Sequence, residues 1–175
     1  TLREKGRHQS QVISIAITPD GKRILSASGG TICVWDANSG REAAKLDGHT
    51  NKVWTVVALR DNARVLSGGF DKTLRLWDLV SGTCLKTIEC GMDGADDVFS
   101  TAVEPAGTRA LSGHRNGRVR LWDLETGQCL VTLKGHSGII NSIQVTPDGL
   151  FAVSGSNDKT VKVWDAADAK EILTI

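Results

Sequence analysis

Two histidines sit at matching distances from a serine and an aspartate: His49, Ser67 and Asp71, and again His136, Ser154 and Asp158. Side chains of these three types can build a nucleophile, its base and an orienting acid. Such chemistry needs an exposed serine beside a substrate pocket and donors for an oxyanion. No Gly-x-Ser-x-Gly elbow or other oxyanion signature accompanies either set. A tryptophan follows each serine at the same interval, Trp77 after Ser67 and Trp164 after Ser154. Cys33, Cys84, Cys90 and Cys129 form no Cys-x-x-Cys pair and have no His-x-x-x-His run beside them, so they read as reduced core thiols and not as a zinc site. Neither a Walker-type phosphate loop nor a carboxylate cage appears, so no cofactor and no metal are expected.

The elements that must position these residues are repeated. Trp-Asp occurs at Trp35-Asp36, Trp77-Asp78, Trp122-Asp123 and Trp164-Asp165, with tryptophan spacings of 42, 45 and 42. A period of this length marks a repeat architecture. Each tryptophan is preceded by a similar apolar block ending in serine: Ile24-Leu25-Ser26, Val65-Leu66-Ser67, Ala110-Leu111-Ser112 and Ala152-Val153-Ser154. Gly48-His49 and Gly135-His136 open two repeats 28 residues before their tryptophans, and His8 opens the first 27 residues before Trp35. Within the second unit the pattern predicts four short strands, over Val53–Leu59, Arg64–Ser67, Thr73–Trp77 and Thr83–Ile88. Gly, Asp and Asn cluster between them, as in Thr18-Pro19-Asp20-Gly21.

On these residues the whole chain resembles the WD-repeat (WD40) β-propeller family. The resemblance implies an all-β fold of four tandem four-stranded antiparallel blades, with units near 8–46, 47–88, 89–133 and 134–175 in a single domain spanning 1–175. It also gives the His-Ser-Asp-Trp sets a structural meaning. Asp takes a hydrogen bond from the His ring, His meets the Ser hydroxyl, and Ser accepts from the indole. The tetrads expected are His49, Ser67, Asp71 and Trp77, and His136, Ser154, Asp158 and Trp164. The first repeat lacks the turn acid, because Ser28-Gly29-Gly30 is one residue short. The third has Gly94 in place of His and Asn116 in place of Asp. Blades one and three are therefore expected to be softer. The Thr-Pro-Asp-Gly turns and Lys-Thr-x-x-x-Trp-Asp strands further resemble bacterial arrays, which commonly accompany kinase-like or NTPase signalling modules.

Binding positions are sought where the repeats differ. In the family, the phases three and five residues past the opening histidine, and just before the turn acid, lie around the channel mouth. Here they carry Lys52, Trp54 and Phe70, then Asp97, Phe99 and Arg115, then Ile139, Asn141 and Asn157. Large aromatics at exposed phases dominate interface energies, so Trp54, Phe70 and Phe99 are the expected anchors of a protein partner. The alternative is that Trp54 and Phe99 pack against the neighbouring blade. The segment Glu89–Asp97 carries four acids and reads as a solvated loop, or else as an acidic docking element. Arg75, Arg118, Arg120 and Lys162 are assigned by strand alternation to water.

Lys+Arg is 21 and Asp+Glu is 20, a near-neutral balance that draws in neither nucleic acid nor anionic membrane. No apolar run approaches the ~18 residues of a membrane span, and a cytoplasmic setting is expected. Family propellers have seven or eight blades, so four units call for more. Thr1-Leu2 and Thr174-Ile175 lie in one repeat phase. Three closures stay open: two copies forming an eight-bladed ring, half of a longer chain, or a strained four-bladed ring. A protein-binding scaffold is the leading function. A self-assembling structural unit and, distantly, a propeller enzyme are the alternatives.

Overall fold

The computed structural model describes residues 8, 10–91, 94, 96–166 and 170–175. The terminal phase read at Thr1-Leu2 lies outside them. Every element among the described residues is a β-strand. The first blade is β1 (Val12–Ile17), β2 (Arg23–Ser28), β3 (Thr31–Asp36) and β4 (Glu42–Asp47). The second is β5 (Val53–Ala58), β6 (Arg64–Gly69), β7 (Thr73–Asp78) and β8 (Cys84–Glu89). The third is β9 (Val98–Val103), β10 (Arg109–His114), β11 (Arg118–Asp123) and β12 (Cys129–Lys134). The fourth is β13 (Ile140–Val145), β14 (Phe151–Ser156), β15 (Val161–Asp165) and β16 (Lys170–Thr174). Each blade is an antiparallel meander with strands in sequence order. The strands expected for the second unit agree within two residues at every boundary.

A four-stranded meander has two faces and cannot bury either alone. The period-2 alternation of each strand sends one set of side chains to each neighbour. On the first blade, Leu25, Ala27, Ile32, Val34 and Leu46 form a forward face. It packs on Val53, Val56, Val65 and Trp77 of the second blade. Leu66, Leu74, Leu76 and Ile88 of the second blade meet Val98, Ala110 and Trp122 of the third in the same way. Leu111, Val119, Leu121 and Leu133 of the third meet Ile140, Ile143, Ala152 and Trp164 of the fourth. The core is thus three slabs between blades, and each tryptophan of the last three blades belongs to the slab with its predecessor. Burying one such aliphatic side chain contributes about 1.5–3 kcal/mol, so stability resides at the junctions.

The inner strands β1, β5, β9 and β13 converge on one cleft of about 340 Å³, to which Ile13, Trp54, Phe99 and Asn141 contribute at one phase. Cross-blade hydrogen bonds tie this wall. Thr55 and Thr101 hydroxyls lie 2.9 Å apart, and the Val56 amide donates to Ser14 Oγ at 3.2 Å.

Candidate functional site: braces and the channel mouth

In the second blade, Trp77 Nε1–H donates to Ser67 Oγ at 2.8 Å, and Ser67 Oγ lies 2.7 Å from His49 Nε2. His49 Nδ1–H donates to Asp71 Oδ2 at 2.8 Å. With that ring proton on Nδ1, Nε2 accepts from the serine hydroxyl. The Thr50 amide and the Thr73 hydroxyl add donors to the same carboxylate. Burial pushes the Asp71 carboxyl up, but hydrogen bonds from His49 and Thr73 outweigh it and hold it below the usual carboxylate value. The fourth blade repeats this with Trp164, Ser154, His136 and Asp158 at 2.8 Å for each link. There the Thr160 hydroxyl leads in holding Asp158 well below the usual range. The glycine before each histidine has a local reason. A Cβ on Gly48 would lie 3.2 Å from the Trp77 ring, and one on Gly135 would lie 2.8 Å from Trp164. Only a bare backbone lets the loop cross the indole this closely.

Ser67 and Ser154 are 0% exposed, so neither hydroxyl faces a substrate. The two tetrads can hold an opening loop, a turn and a strand together. They have no open side on which an acyl group could sit.

The third blade departs from the sequence expectation. The brace is not missing there; it is built from other residues. Trp122 Nε1–H donates to Ser112 Oγ at 2.7 Å, and Ser112 Oγ lies 2.6 Å from the Nε2 of His114. His114 comes from β10, two residues past the serine, instead of from the opening loop. Its Nδ1–H donates to the Asp96 carbonyl at 3.1 Å. The Asp96 carboxylate then pairs with Arg120 at 2.8 Å and accepts from Asn116 Nδ2 at 2.8 Å. Arg120 also donates to the Cys90 carbonyl at 2.9 Å. Burial first, and then the Arg120 charge, push His114 down to about 4, while burial pushes Cys90 up to about 12.

Two further expectations are corrected by the same cluster. Arg120 is buried, as is Lys162, which pairs with Glu171 at 2.9 Å, and Arg75 lies over the Trp77 ring at 6.0 Å. Alternation does put these cations on the tryptophan side of the third strand, but a preceding blade covers that side, not water. Asp96, read as part of a solvated or docking loop, is fully buried because it serves Arg120. Met92, Asp93 and Ala95 of that segment lie outside the described residues.

The first blade keeps a shortened brace. Trp35 Nε1–H donates to Ser26 Oγ at 2.6 Å, and His8 Nε2 lies 2.7 Å from it. The turn is a two-residue hairpin with Gly29 at φ 59°, leaving no position for an acid.

At the end of the blades that carries the expected binding positions, one hydrogen bond recurs. The amides of Phe70, Arg115 and Asn157 donate to the carbonyls of Lys52, Asp97 and Ile139 at 2.9, 3.1 and 2.9 Å. It sets each of these residue pairs side by side at one end of its blade. Trp54 stacks on Phe70 with ring centroids 4.6 Å apart. Phe99 of the next blade closes the group, 5.3 Å from Trp54 and 5.1 Å from Phe70. All three rings are half-buried. They pack across the second junction and still present area outward. Lys52, Arg115, Asn141 and Asn157 are exposed; Arg115 pairs with Asp97 at 3.0 Å, and Asn141 with Asn157 at 2.5 Å. Ile139 is half-buried at the edge of the fourth blade.

Comparison with known proteins agrees with this architecture. The family model "WD domain, G-beta repeat" matches residues 2–36, 40–78, 82–123 and 127–165. Its units are offset by one strand from the blades, each of the last three beginning near the outer strand of the preceding sheet. Autophagy-related protein 16 of Arabidopsis thaliana is 39% identical over 79 residues, 44% of this chain and 16% of that protein. Protein tipD of Dictyostelium discoideum is 37% identical over 86 residues, 49% of this chain and 14% of that protein. Eukaryotic translation initiation factor 3 subunit I of Pyricularia oryzae is 34% identical over 83 residues, 47% of this chain and 24% of that protein. The chain thus matches less than a quarter of the length of these relatives. With four matching repeats across an all-β array of four-stranded blades, this chain belongs to the WD40 repeat family.

Proposed function

We propose that the chain is a non-catalytic scaffold that binds protein segments at the channel mouth. The observation that carries this reading is the cluster of Trp54, Phe70 and Phe99, three half-buried rings in mutual contact beside exposed Lys52 and the Asp97–Arg115 pair. Rigid aromatics with a charged rim are the usual make-up of an interface hot spot. Asn141, Asn157 and Ile139 extend the rim along the same end of the blades. Relatives named as subunits of larger complexes, among them THO complex subunit 6, support a role in assembly. Full burial of the brace serines supports the absence of hydrolytic chemistry. Four free thiols, Cys33, Cys84, Cys90 and Cys129, support a reducing, cytoplasmic setting. The reading invokes no cofactor, nucleic acid or membrane, and it includes closure of the ring either by a second copy, giving eight blades, or by further blades of a longer chain.

The test is a paired pull-down from a lysate. Trp54→Ala and Arg115→Glu should each lose proteins that the wild type retains, while Val80→Ala, a truncation at a residue 80% exposed elsewhere, should lose none. Circular dichroism and the unfolding midpoint check that the variants stay folded. Identical protein sets for wild type, Trp54→Ala and Arg115→Glu would remove the mouth as the binding site.

A further inference from the structure

Charge is sorted at the end of the blades that carries Trp54, Phe70 and Phe99. Three of its acids turn inward. Asp71 and Asp158 accept from His49 and His136, and Asp96 pairs with Arg120. Their side chains are 2%, 9% and 0% exposed. The cations stay outside. Lys52, just before β5, and Lys159, in the turn after β14, are exposed, and neither ammonium has an ion-pair or hydrogen-bond partner among the described residues. Arg115 of the third blade has a side chain 56% exposed. Its Nη1 donates to Asp97 at 3.0 Å, and the rest of the guanidinium fork is left for a second carboxylate.

Beyond the half-buried Asp97, the exposed carboxylates among the described residues of this end are Asp47 and Glu89, which close the outermost strands β4 and β8. Glu89 is separated from β5 by three strand spacings, about 14 Å. That is beyond the ~8 Å over which exposed charges act in physiological salt. The rings therefore lie between two cations, Lys52 on the second blade and Arg115 on the third. Trp54 and Phe70 stack on each other at 4.6 Å with planes 14° apart, so no slot is left between them for a nucleic-acid base. An apolar side chain needs only the outer surface of the group.

We propose that the segment bound here is an acidic peptide, in which one large apolar side chain covers the three rings and carboxylates on either side of it meet Lys52 and Arg115. The proposal rests on the mouth-binding reading and adds the chemistry of the occupant. Complementary charge of this kind selects a partner and speeds its arrival more than it tightens the complex. The apolar residue supplies the anchor, and the two flanking carboxylates set the direction in which the segment crosses from one blade to the next.

Two synthetic peptides test it against the 175-residue chain, one with phenylalanine between pairs of glutamates and one with phenylalanine between pairs of lysines. The indole N–H signal of Trp54 in a nitrogen–proton correlation spectrum, assigned with Trp54→Phe, reads binding at the rings. The glutamate peptide should shift it, the lysine peptide should not, and added salt should weaken the effect. Lys52→Glu and Arg115→Glu should each weaken the glutamate peptide on the order of tenfold. Lys22→Glu, the same charge change at an exposed turn on the other end of the blades, should leave it unchanged. No shift with the glutamate peptide, equal binding of the lysine peptide, indifference to both reversals, or a single-stranded oligonucleotide that shifts Trp54 in its place would each overturn the proposal. Proteins lost by Trp54→Ala in the lysate pull-down, with no shift by the glutamate peptide, would sink the acidic occupant and leave the mouth reading standing. Identical pull-down sets beside a shifted Trp54 signal would remove the mouth reading instead.

Discussion

Blades two and three hold the same indole with the same serine, yet they recruit the ring from opposite sides. In blade two the ring is His49, from the loop before the inner strand, and its partner is the Asp71 carboxylate from the turn. In blade three the ring is His114, from within the second strand, and its partner is the Asp96 carbonyl. Both rings keep the proton on Nδ1 and offer Nε2 to the serine. The junction therefore requires a hydrogen-bonding state, not a histidine at one place. The substitution has a consequence. With a carbonyl serving His114, the Asp96 carboxylate is free to pair with Arg120 inside the slab, where blade two has Arg75 over its indole.

The largest expected effect follows from that buried pair. Asp96→Ala removes the carboxylate that lies 2.8 Å from the Arg120 guanidinium, whose side chain is 1% exposed. Removing one partner of such a pair costs about 3–5 kcal/mol. Asp71→Ala in blade two removes an acceptor from a ring whose proton can move from Nδ1 to Nε2, and about 1–3 kcal/mol is expected. Urea unfolding of the two variants compares them directly. Equal midpoints would mean that the two braces do not differ in kind.

Acid should separate the blades next. The usual histidine value is 6.5, and His114 in the folded chain is pushed down to about 4. Between these values the unfolded chain binds a proton that the folded chain refuses. Stability is then full above pH 6.5 and falls as pH drops toward 4, by on the order of 3 kcal/mol. Asp71 and Asp158 behave otherwise. Their folded values are lowered from 3.8, so their contribution persists above that value and is lost only below it. Blade three should feel acid first. Unfolding midpoints measured from pH 7 to 4 should slope for the wild type and flatten for His114→Gln. An unchanged slope in the variant would assign the effect to another group.

The architecture was legible because it is periodic. Trp77, Ser67 and Gly48-His49 recur; recurrence placed the strands, and the resemblance to WD repeats implied the two tetrads. Blade three was not legible by the same means, since its brace uses residues that break the period. One signal stood in plain view. Ser112-Gly113-His114 puts a histidine where the other strands have Ser28, Gly69 and Ser156, in the one repeat that lacks the opening histidine. The burial of Arg120 and Asp96 could not be read from alternation, which assigns a side of a strand but not what lies across from it. The mouth was partly legible. Sequence phase brought Trp54, Phe70 and Phe99 to one end, and only the structure showed that they touch across a junction and stay half-exposed.

The smallest effect belongs to blade one, which sharpens the comparison from the weak side. Its ring, His8, reaches Ser26, but among the described residues its Nδ1 meets the Cys33 sulfur, 3.9 Å away, where the other rings meet a carboxylate or a carbonyl. His8 and Trp35 are both half-exposed. Water can replace a hydrogen bond at such a site, so His8→Ala should cost less than about 1 kcal/mol, against about 1–3 kcal/mol for His49→Ala, which strands the buried Ser67 and Asp71. Hydrogen exchange gives the companion measurement. Blade one and blade three looked alike as defective repeats, but the His114 brace implies that β10 and β11 are as protected as β6 and β7, with β2 and β3 faster than either. Slow exchange in β2 and β3 would show that slab packing, not the brace, sets local stability.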